Sequence, residues 1–304
     1  MVSERGDTEH PWLDRIICGD ARDMCAVPDG VVGLIITSPP YNVAKGYTNH
    51  KDDLALEEYA GLLNEVWREC CRVLMPGGRL CINVANTHRK PYLSLVSLID
   101  EQLRTSTQGW LHRGHIVWDK GASAGISTAW GSFGRSTNPT LRDVHEYITI
   151  WSKGDLRLEG GDATGISGNE FVAWTRSIWR PEELLPELQE KIADKLADAR
   201  RRGKDDDWVA ESIARAVWGQ AIEPGPNVWE MTTQSGVDHP TPFPVELPKR
   251  LISLYSKPGD VVLDPFMGSG STALAAVLTG RRYVGYELSA EYCALAERRL
   301  AGLS

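Results

Sequence analysis

The segment from Val261 to Thr272 restricts the fold of this chain more than any other. It reads VVLDPFMGSGST: an apolar, β-branched run, then an acidic residue, a glycine turn and the start of a helical pattern. A strand that passes through a glycine turn into a helix is typical of α/β folds that bind a ligand at this turn, because glycine lets the ligand approach the backbone. The same pattern also occurs where a turn simply connects a strand to a helix. The neighbouring motifs are therefore needed to distinguish a ligand-binding turn from a simple connection.

Residues 1–154 have the pattern of an α/β sheet. Strand-like apolar runs cover 15–18, 31–37, 79–84, 115–118 and 146–151. A helical period over 56–74 ends at Pro76-Gly77-Gly78. We interpret these three residues as a stop signal that leads directly into the next strand, as a crossover connection requires.

Residues 228–304 return to this alternation. The pattern predicts a helix over 245–255, a strand over 261–263, a helix over 271–279, a strand over 283–286 and a final helix. Residues 155–227 interrupt it with a Gly-rich start and a charged helical run over 181–202. We therefore predict an α/β, Rossmann-like fold with a doubly wound, mostly parallel sheet, built from 1–154 and 228–304, with 155–227 as an inserted region.

The inserted region mixes aromatic and arginine side chains in loop-like sequence: Trp174, Arg176, Trp179 and Arg180. That mixture suits a recognition surface. Buried tryptophans that anchor a small subdomain would explain Trp174 and Trp179 equally well.

Composition excludes several classes of protein. Apolar residues make up 42% and charged residues 24%, as in ordinary globular proteins. No run approaches the roughly 18 apolar residues of a membrane span, and the charged N-terminus lacks a secretory apolar segment, so we expect a cytoplasmic protein without a membrane partner. The six cysteines show no CxxC spacing, which predicts reduced thiols, and the absence of His/Cys ligand clusters predicts a reaction without a metal. The net charge of -8 requires that Lys and Arg gather on one face if the partner is nucleic acid.

The chemistry around the glycine turn favours a positively charged cofactor. Glu287 ends the next strand, at the place where an acidic side chain accepts hydrogen bonds from the ribose hydroxyls of an adenosine-containing cofactor. The turn lacks the Lys-Ser/Thr ending of a phosphate-binding loop, and Asp264 would repel a pyrophosphate. S-adenosyl-L-methionine, with a sulfonium, an ammonium and no phosphate, fits such a pocket.

A second motif follows the predicted strand over 31–37. Ser38-Pro39-Pro40-Tyr41 places a hydroxyl, a rigid backbone and an aromatic ring at a strand's carboxyl end. The amino group of a nucleobase is a poor nucleophile because its lone pair is delocalised into the ring. The Ser38 hydroxyl oxygen and the Pro39 carbonyl could accept its two hydrogens, while Tyr41 stacks on a base that has been flipped out of the duplex. A Pro-rich turn that merely caps a strand is the plain alternative.

The Ser38–Asn42 motif, followed later in the chain by Asp264–Gly270, resembles the amino-methylating DNA methyltransferases, in the beta-class subgroup whose SPPY motif precedes the cofactor motif. That resemblance implies that Asp20 binds the cofactor adenine and Glu287 the ribose. It also implies that Phe266, Gly268 and Gly270 line the methionine side with Asp264 beside them. The 239–244 segment, with Thr241 and Phe243, resembles the remaining cofactor motif, and the 142–146 segment more loosely resembles a motif near the target pocket.

The resemblance also implies a reaction and a partner. The protein would methylate a specific site in double-stranded DNA by direct transfer to a flipped base, with 155–227 as the target recognition domain. Ser rather than Asp at position 38 is commoner in that family among enzymes that form N4-methylcytosine, so cytosine is favoured over adenine N6. Whether the protein forms a homodimer, or works beside a separate restriction endonuclease, stays open.

Three other functions fit the sequence less well. A cytosine-C5 methyltransferase needs a thiolate nucleophile after a proline, and the chain has no Pro-Cys pair. A catalytically inactive nucleic-acid-binding regulator would not need the intact Ser38–Tyr41 and Asp264–Gly270 motifs. A nicotinamide-dependent oxidoreductase would explain the glycine turn and Glu287 but not the Ser-Pro-Pro-Tyr turn.

Overall fold

A computed structural model describes residues 10–42, 53–87, 92–119, 136–137, 141, 143–158, 160, 163–179, 201 and 243–303. Apart from Arg201, the predicted helix over 181–202 lies outside these residues. Among the described residues, every helix is too short or too polar to cross a lipid bilayer.

One mixed sheet organises the described residues. Its strands are β1 (Arg15–Cys18), β2 (Val32–Thr37), β3 (Leu74–Val84), β4 (Trp110–Asp119), β5 (His145–Lys153), β6 (Ile178–Trp179), β7 (Val261–Asp264) and β8 (Arg282–Glu287). They lie in the order β1-β8-β7-β2-β3-β5-β4-β6. Only β5 runs antiparallel to its neighbours, β3 and β4, within this part of the chain. The predicted α/β, mostly parallel fold is confirmed.

Helices cover both faces of the sheet. They are α1 (Leu56–Val73), α2 (Leu95–Thr105), α3 (Gly168–Trp174), α4 (Glu246–Tyr255), α5 (Ser271–Leu278) and α6 (Ala290–Ala301). Apolar residues of α1 and α2 join one core cluster with Trp151 and Val284. Those of α4 and α5 join a second cluster with Ile36 and Ile148. The separation follows the alternation of side chains along each strand.

The chain crosses the sheet at its centre. Strands β3, β5 and β4 lie on one side of β2, whereas β7, β8 and β1 lie on the other. Strand β7 pairs in parallel with β2, with Leu34 opposite Val262 and Ile35 opposite Leu263. The boundary between β2 and β7 is therefore a topological switch point, where α/β proteins bind ligands beyond the carboxyl ends of the strands.

The predicted stop signal Pro76-Gly77-Gly78 proves to lie inside β3. Helix α1 ends at Val73, and β3 begins at the next residue. The register between β2 and β3 slips between the pairs Val32–Leu74 and Leu34–Arg79, so the Pro-Gly-Gly segment forms an irregularity in the strand and not a loop before it.

The start of the predicted inserted region packs on the sheet. Strand β6 pairs in parallel with β4, and the Trp179 side chain is fully buried in the cluster that contains α4. Its indole Nε1 donates to the Trp174 carbonyl over 3.1 Å, and the Arg250 guanidinium lies 5.5 Å from the Trp179 ring centroid. Trp179 is thus an anchor of the core. The outer boundary of the inserted region stays a prediction, because most of it lies outside the described residues.

Gly77 provides a test of the irregular β3 segment. It has φ +73°, and a Cβ there would lie 1.8 Å from the backbone oxygen of Arg157. We expect Gly77→Ala to lower the free energy of unfolding by about 3 kcal/mol, from the strained φ and the collision together. Gly154, with φ +66° and open space around it, is the matched control. Gly154→Ala should cost only about 1 kcal/mol in urea unfolding, and equal losses for the two variants would contradict this packing.

Candidate active site

Four parallel strands end at one edge of the sheet and bring the two sequence motifs together. Cys18 pairs with Glu287, so β1 and β8 end level, and Asp264 at the end of β7 pairs with Gly285, two residues before the end of β8. The Thr37 hydroxyl at the end of β2 donates to Asp264 Oδ1 over 2.7 Å. The Ser38–Tyr41 turn and the glycine turn after Asp264 therefore start side by side.

Asp264 connects these two turns from below. Its Oδ1 accepts hydrogen bonds from the Thr37 hydroxyl (2.7 Å) and the Phe266 amide (3.0 Å), and its Oδ2 accepts one from the Thr272 hydroxyl (2.6 Å). The residue is only 1% exposed. Burial raises the pKa of this carboxyl to about 6, although the three hydrogen bonds oppose the rise. Asp264 thus supports both turns from inside the protein. The sequence instead predicted a carboxylate at the entrance to the glycine turn, facing the cofactor.

The glycine turn is constrained by backbone geometry and by α6. Gly268 and Gly270 have φ values of +52° and +84°, which favour glycine. A Cβ on Gly270 would lie 2.7 Å from the Cβ of Ala296, so this glycine is also required by packing against α6. Arg299 donates to the carbonyl and the hydroxyl of Ser269. The turn is therefore preorganised by the protein itself.

Glu287 lies beside this turn with acceptor capacity to spare. Its Oε2 accepts from the Gly268 amide (2.9 Å) and its Oε1 from the Ser289 amide (2.8 Å). A carboxylate has about four lone-pair positions, so further donors can bind. The residue is half-buried, which leaves the carboxylate accessible to a ligand from the edge of the sheet.

Asp20 follows β1 on the same edge but is engaged by a neighbour. Arg22 donates from its backbone amide to Oδ1 (2.9 Å) and from its guanidinium to Oδ2 (2.6 and 2.9 Å). This arginine holds the pKa of the Asp20 carboxyl below its usual value. The Asp20 side chain keeps 38% of its surface exposed.

The Ser38–Tyr41 turn belongs to a chain of polar contacts that ends on β5. Ser38 Oγ lies 3.1 Å from the Tyr41 hydroxyl, which donates to Glu146 Oε2 over 3.1 Å. Asn83 Nδ2, at the end of β3, donates to both Glu146 Oε2 (2.6 Å) and the Tyr41 oxygen (3.3 Å). Glu146 and Asn83 are 4% and 2% exposed, so the chain is shielded from water.

The direction of these hydrogen bonds has a chemical consequence for Ser38. A tyrosine hydroxyl has one proton, and here that proton goes to Glu146. The contact between Ser38 and Tyr41 must then be donated by Ser38. Both lone pairs of the Ser38 oxygen are consequently left as acceptors.

The backbone of the turn is held on both sides. The Tyr59 hydroxyl of α1 donates to the Pro40 carbonyl over 2.7 Å. Asn42, with φ +55°, accepts from the Leu54 amide (2.7 Å) and donates to the Leu54 carbonyl (3.0 Å). Within the described part of the chain no donor binds the Pro39 carbonyl.

Some predicted site residues cannot be placed. Thr241 and Arg142 lie outside the described residues. Phe243 is described and packs, partly buried, against the cluster that contains α4. Phe266 is partly buried against the other cluster.

Sequence reasoning missed several residues that shape the site: Thr37, Asn83, Thr272 and Arg299. Thr272 ends the glycine motif and Thr37 directly precedes Ser38, so both could have been found from their positions next to the motifs. Asn83 and Arg299 reach the site only through strand pairing and helix packing, which local sequence does not reveal.

The raised pKa of Asp264 predicts an unusual pH dependence of stability. The unfolded carboxyl titrates near pH 4 and the folded one near pH 6. Between these values the folded state binds more protons, so the free energy of unfolding falls as pH rises, by about 3 kcal/mol in total. Asp264→Asn lacks this titration. Urea unfolding should show the variant gaining about 3 kcal/mol relative to the original protein between pH 4 and pH 7; a constant difference would contradict the assignment.

Comparison with known proteins places the chain in a family. It matches the DNA methylase family model for N6 and N4 methylation over residues 32–298. It is 46% identical to the orphan methyltransferase M.BamHII of Bacillus amyloliquefaciens over 90% of each chain. It is 28% identical to the DNA adenine methyltransferase YhdJ of Escherichia coli K12 over 94% of this chain and 82% of the other.

A solved structure agrees with this assignment. TTHA0409 of Thermus thermophilus, in complex with S-adenosyl-L-methionine, superposes with a TM-score of 0.63 and 26% identity, over 95% of both chains. The family match spans most of the chain and includes both the Ser38–Tyr41 turn and the glycine turn. This chain therefore belongs to the DNA methylase family of N6- and N4-specific amino-methyltransferases.

Proposed function

We propose that this protein methylates the exocyclic N4 of cytosine at a specific site in double-stranded DNA, with S-adenosyl-L-methionine as methyl donor. The observation that carries the proposal is the Ser38 oxygen, held by Tyr41 with its lone pairs available, beside the glycine turn. By the resemblance of its motif, Ser rather than Asp at position 38 is typical of enzymes that form N4-methylcytosine, which favours cytosine.

The residues of the cofactor side fit S-adenosyl-L-methionine. This cofactor supplies a methyl group made electrophilic by a positively charged sulfonium. Glu287 retains lone pairs for the two ribose hydroxyls, and Gly268 presents its backbone without a Cβ. Asp20, whose carboxylate is held by Arg22 and is partly exposed, is proposed to face the adenine. Thr241 and Phe243 are proposed to complete the site, and Asp264 acts indirectly by holding the turn.

The residues of the acceptor side fit an amino group. The Ser38 oxygen and the Pro39 carbonyl accept its two hydrogens, which favours a pyramidal nitrogen whose lone pair is available for direct attack. The amino group must also lose a proton. The contacts from Ser38 through the Tyr41 hydroxyl to Glu146 form a shielded path of two 3.1 Å steps along which that proton can be passed to a carboxylate.

The amino nitrogen of a paired base is reached only when the nucleotide is flipped out of the duplex. The Tyr41 ring, next to the two acceptors, would stack on the flipped base. Sequence recognition is assigned to the inserted region over 155–227. Its arginines and lysines would have to face the phosphates, because the chain as a whole carries a charge of -8.

Adenine N6 is the second candidate, favoured by the similarity to YhdJ, a DNA adenine methyltransferase. The same pair of acceptors would serve either amino group. The catalytically inactive regulator and the nicotinamide-dependent oxidoreductase have no support from the family match.

The base is identified by digesting DNA after incubation with the protein and isotopically labelled S-adenosyl-L-methionine. Mass analysis of the nucleosides should find the label in N4-methylcytosine. Label in N6-methyladenine would overturn the choice of base and keep the family chemistry. Sequencing with detection of modified bases gives the recognition site from the same sample.

Substitutions on the acceptor side and on the cofactor side of the site should affect different quantities, kcat in one case and cofactor binding in the other. Ser38→Ala removes an acceptor on the nucleobase side, so we expect a loss of 100-fold or more in kcat with the Kd of S-adenosyl-L-methionine unchanged, by analogy with the loss of a single preorganised oxyanion donor, about 10²–10³-fold. Glu287→Gln should instead weaken cofactor binding about tenfold or more. Single-turnover rates and calorimetric binding distinguish the two. Equal effects of both variants on both quantities would contradict the division.

Tyr41→Phe separates stacking from hydrogen bonding. The ring remains, but the contact between Ser38 and Glu146 is interrupted. We expect kcat to fall about tenfold with little change in DNA affinity, whereas Tyr41→Ala should also weaken DNA binding, since stacking is worth about 1–3 kcal/mol per base. Full activity of Tyr41→Phe would refute a role for the hydroxyl.

A further inference from the structure

Three potential metal ligands meet on the sheet away from the methyl-transfer site. They are Asp100 on α2 and His112 and His115 on β4, and one ligand atom of each lies within 4.8 Å of the others. His115 pairs with Thr149 on β5, whereas Glu146 of the candidate active site pairs with Trp118. The cluster is therefore separated from the active site by three residues of strand, about 10 Å.

A β-bulge brings the two histidines to one face. Residues three apart in a regular strand point to opposite faces. The register between β4 and β5 slips between His112 and Gly114, and Gly114 has φ +126°. The extra residue turns both imidazoles towards α2. The sequence predicts no metal site, because the positions of the histidines along the chain do not reveal the bulge in β4.

Neighbouring side chains outside the cluster orient the ligands. Asp100 Oδ1 accepts from the Thr149 hydroxyl (2.7 Å), whose oxygen accepts from the Trp151 indole (2.8 Å). This leaves Asp100 Oδ2 directed at His115 Nε2, 2.7 Å away. The His112 ring lies 4.5 Å from the Trp151 ring and 4.6 Å from the His115 ring, centroid to centroid. Outer hydrogen bonds of this kind are a regular feature of metal sites.

We propose that Asp100, His112 and His115 bind a divalent transition-metal ion of the zinc, nickel and cobalt type. Two imidazole nitrogens and one carboxylate oxygen suit these ions, whereas Mg²⁺ and Ca²⁺ prefer oxygen alone. Binding of the ion to His115 Nε2 requires the neutral tautomer with its proton on Nδ1, so the ion takes the place of the hydrogen bond between Nε2 and Asp100 Oδ2. Water fills the remaining positions on the exposed His112 side.

The bound ion would connect α2 to β4 and so stabilise the fold next to the β5 strand that carries Glu146. Its role is independent of methyl transfer. The proposed metal site can therefore be tested separately from the proposed base specificity.

Titration calorimetry on untagged, chelator-treated protein tests the proposal with Zn²⁺ and Co²⁺ as probes. We expect one saturable site, a rise in Tm with Zn²⁺, and Co²⁺ visible bands without the intense near-ultraviolet absorption of cobalt-bound thiolate. His112→Ala, His115→Ala and Asp100→Asn should each weaken binding tenfold or more. His10→Ala, a histidine outside the cluster, should leave binding unchanged.

His112→Ala is the most decisive variant, because His112 makes no hydrogen bond among the described residues and its loss should leave the fold intact. Circular dichroism verifies folding of every variant. The proposal is overturned if the original protein shows no saturable binding, if His112→Ala binds as tightly as the original protein, or if the cobalt spectrum shows thiolate ligands. In the first case the contact between His115 and Asp100 is a hydrogen bond that only supports the fold.

Discussion

The buried carboxylate of Asp264 holds the two halves of the site in contact. It accepts hydrogen bonds from Thr37 at the end of β2 and from Phe266 and Thr272 around the glycine turn. Motifs more than 220 residues apart in the sequence are thereby joined beneath the edge of the sheet. Burial destabilises the charged form of this carboxyl, and its pKa is raised for that reason. We interpret that destabilisation as the consequence of joining the two motifs at one switch point.

The acceptor side depends on the change of strand direction at β5. Because β5 runs antiparallel to β3, its first residues lie at the edge where β2 and β3 end. Glu146 is thus brought to Tyr41 and Asn83. A purely parallel sheet would place the start of that strand at the opposite edge. The antiparallel strand therefore supplies the carboxylate that directs the Ser38 hydroxyl.

Much of the fold followed from local patterns, and the departures have physical causes. The apolar runs of β2 and β7 and their terminal motifs were visible because parallel central strands are buried on both faces. Pro76-Gly77-Gly78 has the composition of a stop signal between a helix and a strand, but the pairing of Leu74 with Val32 of β2 places it inside β3. The clustering of His112 with His115 could not be predicted, because it depends on a bulge. The sequence alone leaves open whether Trp179 belongs to a recognition surface or to the core. The pairing of β6 with β4 and the contact with Arg250 place it in the core.

The central claim is that one edge of the sheet holds the methyl donor and the target amino group together. A crystal structure with a non-reactive amine analogue of S-adenosyl-L-methionine and a duplex containing the recognition site measures this directly. We predict a flipped base whose amino nitrogen lies within hydrogen-bond distance of Ser38 Oγ and the Pro39 oxygen, with the analogue against Gly268 and Glu287. An analogue or a base bound away from this edge would contradict the account.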